Sequence, residues 1–191
     1  MQPSTRPPLP KPGHTGSSPE GIPANALRGP GFWLPLVLVA YAVYVVETIA
    51  GLPDCVATHF GASGAANGWM SRDAYRTFML ISGPVTAFFP LLVGLAMRSA
   101  PARFINLPHR DYWLAPERRD ATFAWLRGHM SWLCILLLLF VSVIHWTVVV
   151  ANRRTPPWLD PRGAVGIVVV LMAAMLVWIG VMLVHFSRKR T

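Results

Sequence analysis

Four long apolar stretches dominate the pattern of hydrophobic and polar positions along the chain. Each is almost free of charged residues and is bounded by Arg, Lys, Asp, Gly or Pro. Crossing a hydrocarbon core of about 30 Å takes roughly 20 residues of helix. The pattern therefore predicts four transmembrane helices, at residues 32–50, 77–97, 131–151 and 164–186.

The composition agrees with a membrane protein. Of the 191 residues, 53% are hydrophobic and 13% are charged, which is too apolar for an ordinary soluble surface. A cleaved signal peptide is the rival interpretation of the first stretch. That stretch is too long for a typical signal core, contains Glu47 near its end and precedes no clean cleavage pattern. We therefore expect an all-α integral membrane protein that retains its first helix.

Residues 1–30 differ from the rest of the chain. They contain eight prolines together with Gly, Ser and Thr, and they show no apolar periodicity. Such a segment does not bury enough apolar surface to offset its chain entropy. The sequence predicts a disordered, Pro-rich cytoplasmic tail here and a four-helix membrane domain over residues 31–191.

Basic residues are unevenly distributed among the loops. The N-terminal tail, the second loop and the C-terminus together hold 12 of the 17 Lys and Arg residues. Positive charge marks the cytoplasmic side, so we expect both termini inside, in the plasma (inner) membrane. The net charge of +9 then faces anionic lipid headgroups. Its scattered distribution argues against a nucleic-acid partner.

The loop between the first two spans, residues 51–71, reads GLPDCVATHFGASGAANGWMS. Weak alternation over residues 56–60 and three following glycines predict a short hairpin on the outer side that returns through Trp69. Ser71 is predicted to cap the second helix, with Asp73 in its first turn. On the other side, residues 117–130 after Pro116 are predicted to run as helix into the third span.

Two segments resemble a known family. The run LPDCVATHFGASGAANGWMSRDAY resembles the bacterial membrane family called domain of unknown function 1648, whose members place an LPxxxxxHF and a GxxxGW-like segment between two helices. The family pattern falls on Pro53, His59, Phe60, Gly64, Gly68 and Trp69. The later run NLPHRDYWLAPERR resembles a second motif of the family, which falls on Asn106, Tyr112 and Trp113. At Asn67 the family more often has an acidic residue.

The resemblance, which extends over about residues 35–130, also implies a function. Relatives resemble SdpI-type proteins, in which such a domain accompanies signalling or immunity to a secreted toxin. This implies a non-enzymatic membrane protein whose outer loop binds a protein or peptide. The sequence contains no nucleophile elbow, phosphate-binding glycine loop, paired catalytic carboxylates or zinc-ligand spacing. We accordingly expect no catalytic residue, cofactor or metal.

Polar residues near the outer ends of the spans support an alternative. Glu47 on the first span and His145 on the third are predicted to lie at similar depth, with His59 and Asp54 above them. Such groups could form a proton-handling or metal-binding cluster of a small transporter or membrane enzyme. The structural interpretation is that Glu47 and His145 make hydrogen bonds across a helix interface or reach interfacial water.

The fourth span carries a different signal. Gly166, Ala173 and Gly180 recur every seven residues. Small residues at such a spacing allow two membrane helices to approach closely. The stripe is therefore a candidate surface for oligomerisation or for packing against another protein, as in an accessory subunit of a membrane complex.

Overall fold

The structure is a computed structural model that describes residues 29–188. Within this range, five α-helices and two β-strands follow one another, with a 3₁₀ turn at Ala102–Phe104. The elements are α1 (Pro30–Ala50), β1 (Cys55–Phe60), β2 (Ala66–Ser71), α2 (Arg72–Ser99), α3 (Arg110–Trp113), α4 (Pro116–Asn152) and α5 (Pro161–Ser187). Of the tail predicted to be disordered, residues 1–28 lie outside the described residues.

Four of the helices, α1, α2, α4 and α5, are long and apolar enough to cross a membrane. They contain the four predicted spans, so the prediction of four membrane-spanning helices is confirmed. α4 has 37 residues and begins at Pro116, well before its apolar part, as expected from the sequence. The chain is a multi-pass membrane protein.

Capping side chains and an N-terminal proline set where three of the helices begin. Ser71 caps α2, because its side chain accepts a hydrogen bond of 3.2 Å from the backbone N–H of Ala74, as predicted. Asp160 caps α5 by accepting from the N–H groups of Arg162 and Gly163. Pro116 occupies the first turn of α4, where its missing N–H costs nothing.

α4 is the central helix and packs against α1 and α2. Close approach of α1 and α2 depends on Gly83, where an added Cβ would lie 2.2 Å from the hydroxyl oxygen of Tyr41. That hydroxyl donates a 2.7 Å hydrogen bond to the carbonyl of Met79. The core between the three helices and β1 includes Tyr41, Val45, Ile49, Val56, Tyr75, Met79, Leu138, Val148 and Val149.

α5 stands apart from the other helices along most of its length. None of its most apolar window is buried within the chain. A Cβ added at Gly166 or Gly180 would meet nothing within 4 Å, and Ala173 is exposed. The small-residue stripe is therefore not used for packing inside the described part of the chain.

A column of five stacked rings attaches the C-terminal part of α5 to α3 and α4. The rings follow in the order Trp113, His185, Trp125, His129 and Trp178, with centroid separations of 5.2, 3.8, 4.7 and 4.4 Å. Each neighbouring pair is close to parallel. Offset stacking of aromatic rings adds to the gain from their burial, so this column fixes α5 at the end of the molecule opposite the hairpin.

Candidate functional site

Residues 55–71 form an antiparallel hairpin that lies on the ends of α1, α2 and α4. Its register pairs Cys55 with Ser71 and Ala57 with Trp69, and two irregularities on either side of His59 shift the later pairs. Such bulges bend a strand and change which way its side chains point. His59 lies opposite Gly68 in this register.

The side chain of Asn152, at the end of α4, holds β1 in place. Its Oδ1 accepts a hydrogen bond of 2.8 Å from the N–H of Ala57, and its Nδ2 donates one of 2.8 Å to the carbonyl of the same residue. A third bond joins Nδ2 to the carbonyl of Val148. Because Asn152 and Ala57 are both buried, the amide satisfies backbone groups that water does not reach.

The connection between α4 and α5 holds the tip of the hairpin. The N–H of Leu159 donates to the carbonyl of Gly64, and the indole N–H of Trp158 donates to the carbonyl of Ser63, both at 2.9 Å. Gly64 has a φ of +85°, and a Cβ there would lie 2.2 Å from the carbonyl oxygen of Leu159. Only glycine meets both conditions, which explains the family glycine at this position.

Arg72 fixes the start of the hairpin. Its guanidinium donates to the carbonyl of Leu52 at 2.9 Å and forms a 2.8 Å ion pair with Asp54. The carboxylate of Asp54 is 93% exposed, so the pair contributes little to stability. Asp54 is therefore joined to Arg72 and not to the histidines of the predicted polar cluster. Its neighbour Pro53 is exposed at the same turn.

Five side chains of the two strands are exposed: Cys55, His59, Asn67, Trp69 and Ser71, which we call the hairpin face. On β2, exposed residues alternate with partly buried ones, as expected when one side of a strand faces the protein. Trp69 is 53% exposed. On the opposite side, Phe60 packs against the helix core.

His59 and Asn67 form a pair on the hairpin face. Nδ1 of His59 makes a short hydrogen bond with Oδ1 of Asn67. Because an amide oxygen only accepts, Nδ1 carries the proton, and Nε2 is unprotonated in the neutral ring. A Cβ at Gly68 would lie 2.9 Å from the Cβ of His59, so the glycine leaves room for this imidazole. Asn67, the position that departs from the family pattern, is thus the partner of the family histidine.

His145 lies fully buried between α1, α2 and α4. Its Nδ1 is 2.8 Å from the hydroxyl of Tyr75, and its Nε2 is 2.7 Å from Oγ1 of Thr48. The Thr48 hydroxyl also lies 2.6 Å from the carbonyl of Tyr44. A carbonyl only accepts, so Thr48 donates to it and accepts from Nε2–H, and Tyr75 donates to Nδ1. The three side chains form one satisfied chain of hydrogen bonds around a neutral imidazole.

The structure does not bring Glu47 to His145. Glu47 is exposed and makes no hydrogen bond or ion pair within residues 29–188. Successive residues on an α-helix differ by about 100°, so turning Thr48 toward α4 turns Glu47 away. The side of α1 that faces the other helices therefore contains Tyr41, Tyr44 and Thr48 but not Glu47.

No metal cluster accompanies these groups. Within residues 29–188, no three His, Cys, Asp or Glu side chains lie close enough together to hold a metal ion. The candidates named from the sequence are separated: His59 pairs with Asn67, Asp54 with Arg72, and His145 with Thr48 and Tyr75.

Residues 34–82 match the family model described as Domain of unknown function (DUF1648). This confirms the resemblance for α1, the hairpin and the first part of α2. All six family positions of the hairpin lie inside the DUF1648 match. The chain matches no curated protein and no solved structure.

The second motif lies outside the DUF1648 match, near the opposite end of the molecule. Trp113 is buried, and its indole N–H donates a 2.9 Å hydrogen bond to the carbonyl of Phe186 in α5. The ring of Tyr112 lies 4.2 Å from the guanidinium carbon of Arg118, and Asn106 is exposed. Trp113 thus belongs to the attachment of α5 and does not contact the hairpin.

Sequence reasoning missed several residues that position the DUF1648 hairpin or contact His145. Asn152 is a polar residue at the end of an apolar run, which is a weak signal for a capping or clamping role. Tyr75 lies within one turn of the predicted cap of α2, outside the predicted span. Trp158 lies in a Pro-rich connection and carries no local signal of its contact with Ser63.

Proposed function

We propose that this chain is a non-enzymatic membrane protein of the bacterial plasma membrane that recognises a protein or peptide through the hairpin face. The role is SdpI-like, in signalling or in immunity to a secreted toxin. The resemblance supplies the SdpI-like role. The structure supports the recognition surface, and the distribution of basic residues supports its location outside the cell.

The exposure of Trp69 on a rigidly held hairpin is the observation that carries this proposal. Aromatic side chains dominate the binding energy of many interfaces. A surface that is already ordered loses less conformational entropy on binding. Asn152, Gly64 and Arg72 hold the hairpin from three directions, and none of them contributes to the hairpin face.

The sidedness of the hairpin is tested by labelling the native Cys55 in intact cells with a membrane-impermeant maleimide. Cys55 is exposed and Cys134 is buried, so the described part of the chain offers one accessible thiol. Cys55→Ser is the control. We expect Cys55 to be labelled in intact cells. Labelling only after the cells are opened would place the hairpin inside and contradict an extracellular partner.

Recognition is tested by site-specific photo-crosslinking from position 67 in cells that produce the full chain. We expect one defined protein or peptide to be captured and identified by mass spectrometry. Trp69→Ala should abolish the capture. Trp132→Ala, which alters an equally exposed tryptophan of α4, should not. Equal capture with Trp69→Ala, or no capture at all, would contradict the proposal.

A small proton-coupled transporter or membrane enzyme is the second candidate. The buried hydrogen-bond chain of Tyr75, His145 and Thr48 favours it, because histidines within membrane helices occur in the proton relays of pumps and transporters. The separation of Glu47 from this chain counts against the predicted pairing of Glu47 with His145. Tyr75→Phe, which breaks this chain, should abolish its proton-coupled activity, whereas Glu47→Gln should leave both that activity and the recognition phenotype unchanged.

An accessory subunit is the third candidate. A Cβ at Gly166 or Gly180 would meet open space, and Ala173 is exposed, which leaves the stripe accessible to a second protein. Ala173→Leu should dissociate such a complex without changing membrane insertion, and size-exclusion chromatography in detergent measures both the complex and the monomer.

A further inference from the structure

A groove of about 390 Å³ opens between α2 and α4 at the end of the molecule opposite the hairpin. Leu91, Leu95 and Phe123 form part of its apolar wall. Two positions without long side chains, Gly94 on α2 and Ala124 on α4, create the space. A Cβ at Gly94 would already lie 3.7 Å from Cγ of Met130, so a branched side chain there would occupy the groove.

The mouth of the groove is charged. Arg98 and Arg127 both line it together with Asp120. Arg98 forms a long ion pair of 3.5 Å with Asp120, and Arg119 donates to the carbonyl of Arg98 at 2.9 Å. Arg127 is exposed and forms no ion pair within residues 29–188. Two guanidinium groups against one carboxylate leave the mouth positive.

Apolar walls with a positive mouth fit one class of ligand, an amphiphile with an anionic head. The groove lies between two membrane-spanning helices. Its α2 wall, from Leu91 to Leu95, falls within the predicted span at residues 77–97, where acyl chains are the surrounding solvent. Guanidinium groups bind phosphate with two parallel hydrogen bonds, and basic pockets between membrane helices bind anionic headgroups. The shape and the charge thus point to the same ligand.

We propose that an anionic phospholipid of the adjacent leaflet occupies this groove. One acyl chain lies along Leu91 and Gly94 of α2, and the phosphate is held by Arg98 and Arg127. The site is independent of the hairpin face. By the distribution of basic residues, the leaflet is the cytoplasmic one.

The test is native mass spectrometry of the purified full chain in detergent, with phosphatidylglycerol and phosphatidylcholine of identical acyl chains. We expect phosphatidylglycerol to bind on the order of tenfold more tightly, given the attraction of each arginine for an anionic surface. The double substitution Arg98→Gln/Arg127→Gln should remove this preference. Because both side chains are exposed, the variant should fold normally.

A matched control is Arg153→Gln/Arg154→Gln, which removes two exposed arginines near the hairpin and should keep the preference. Gly94→Leu should weaken binding of both lipids, since it fills the groove. Equal binding of the two lipids, or a preference that survives Arg98→Gln/Arg127→Gln, would overturn the proposal. Displacement of phosphatidylglycerol by inorganic phosphate at equal concentration would also overturn it, because the ligand would then be a free anion.

Discussion

Asn152 of α4 and Ala57 of β1 are joined by two hydrogen bonds of 2.8 Å, one in each direction. The side-chain amide occupies the place that a neighbouring strand would take beside β1. A two-stranded hairpin is marginally stable by itself in water. The Asn152–Ala57 hydrogen bonds therefore join the DUF1648 hairpin to the membrane helices as one unit. The rigidity of the hairpin face thus depends on Asn152, which is not part of that face.

Replacing Asn152 with Leu should detach β1 from α4. The N–H and carbonyl of Ala57 would be left buried without partners, which costs about 1–3 kcal/mol for each group. We expect a lower midpoint of thermal unfolding in detergent and faster hydrogen exchange at the Ala57 amide. Asn106→Leu, at an exposed asparagine of the second motif, is the control and should change neither. An unchanged exchange rate at Ala57 in Asn152→Leu would disprove the clamp.

Gly64→Ala should destabilise the tip of the hairpin. The left-handed conformation costs an alanine about 1–2 kcal/mol, and the new Cβ would collide with the carbonyl of Leu159. We expect faster hydrogen exchange at the Leu159 amide, which donates to Gly64. Gly51→Ala is the matched control, because a Cβ there meets nothing within 4 Å and φ is −88°. If Gly64→Ala and Gly51→Ala show the same exchange rate at the Leu159 amide, the contact of Gly64 with the α4–α5 connection is not essential for the order of the hairpin tip.

The sequence was sufficient to predict the membrane-spanning helices, because long apolar runs are a property of consecutive residues. It also predicted the Ser71 cap, which depends on neighbours three residues away. The predicted apolar span began at residue 77, whereas the helix begins at Arg72, as the predicted Ser71 cap required. Hydropathy alone ends a span at the first charges, whereas the capped helix includes a polar first turn.

The candidate site was less predictable, because its contacts join residues far apart in the sequence. A helical period identifies a face of α1, but whether Glu47 or Thr48 faces His145 depends on how α1 rotates against α4. Asn152 and Ala57 are 95 residues apart, and no local pattern relates them. Both features follow from packing among several helices, which a pattern along one helix does not specify.

Tyr75→Phe should destabilise the buried contact between α2 and α4. The substitution keeps the ring but leaves Nδ1 of His145 without its 2.8 Å donor, which costs about 1–3 kcal/mol for a buried acceptor. Tyr44→Phe removes a longer hydrogen bond of 3.4 Å and should cost less. Thermal unfolding of the two variants in the same detergent gives the comparison. Equal losses of thermal stability in the two variants would mean that the hydrogen bond from the Tyr75 hydroxyl to His145 contributes no more than that of Tyr44.

Trp125→Ala should release the C-terminal part of α5 from α4. The ring of Trp125 lies between those of His129 and His185, so its removal divides the column into two parts. Each lost aromatic pair costs about 0.5–1.5 kcal/mol beyond the lost burial. α5 has few other contacts, since its apolar window is entirely unburied within the chain.

The release is measured by the distance between spin labels introduced by Ala121→Cys on α4 and Ser187→Cys on α5, in a Cys55→Ser background. Both positions are exposed, so the labels should not disturb the column. We expect a narrow distance distribution in the parent and a broad one in Trp125→Ala. Trp132→Ala, which removes an exposed ring of the same helix, should keep the narrow distribution. A narrow distribution in Trp125→Ala would mean that the Trp113–Phe186 hydrogen bond and the contacts between His129 and Trp178 hold α5 without Trp125.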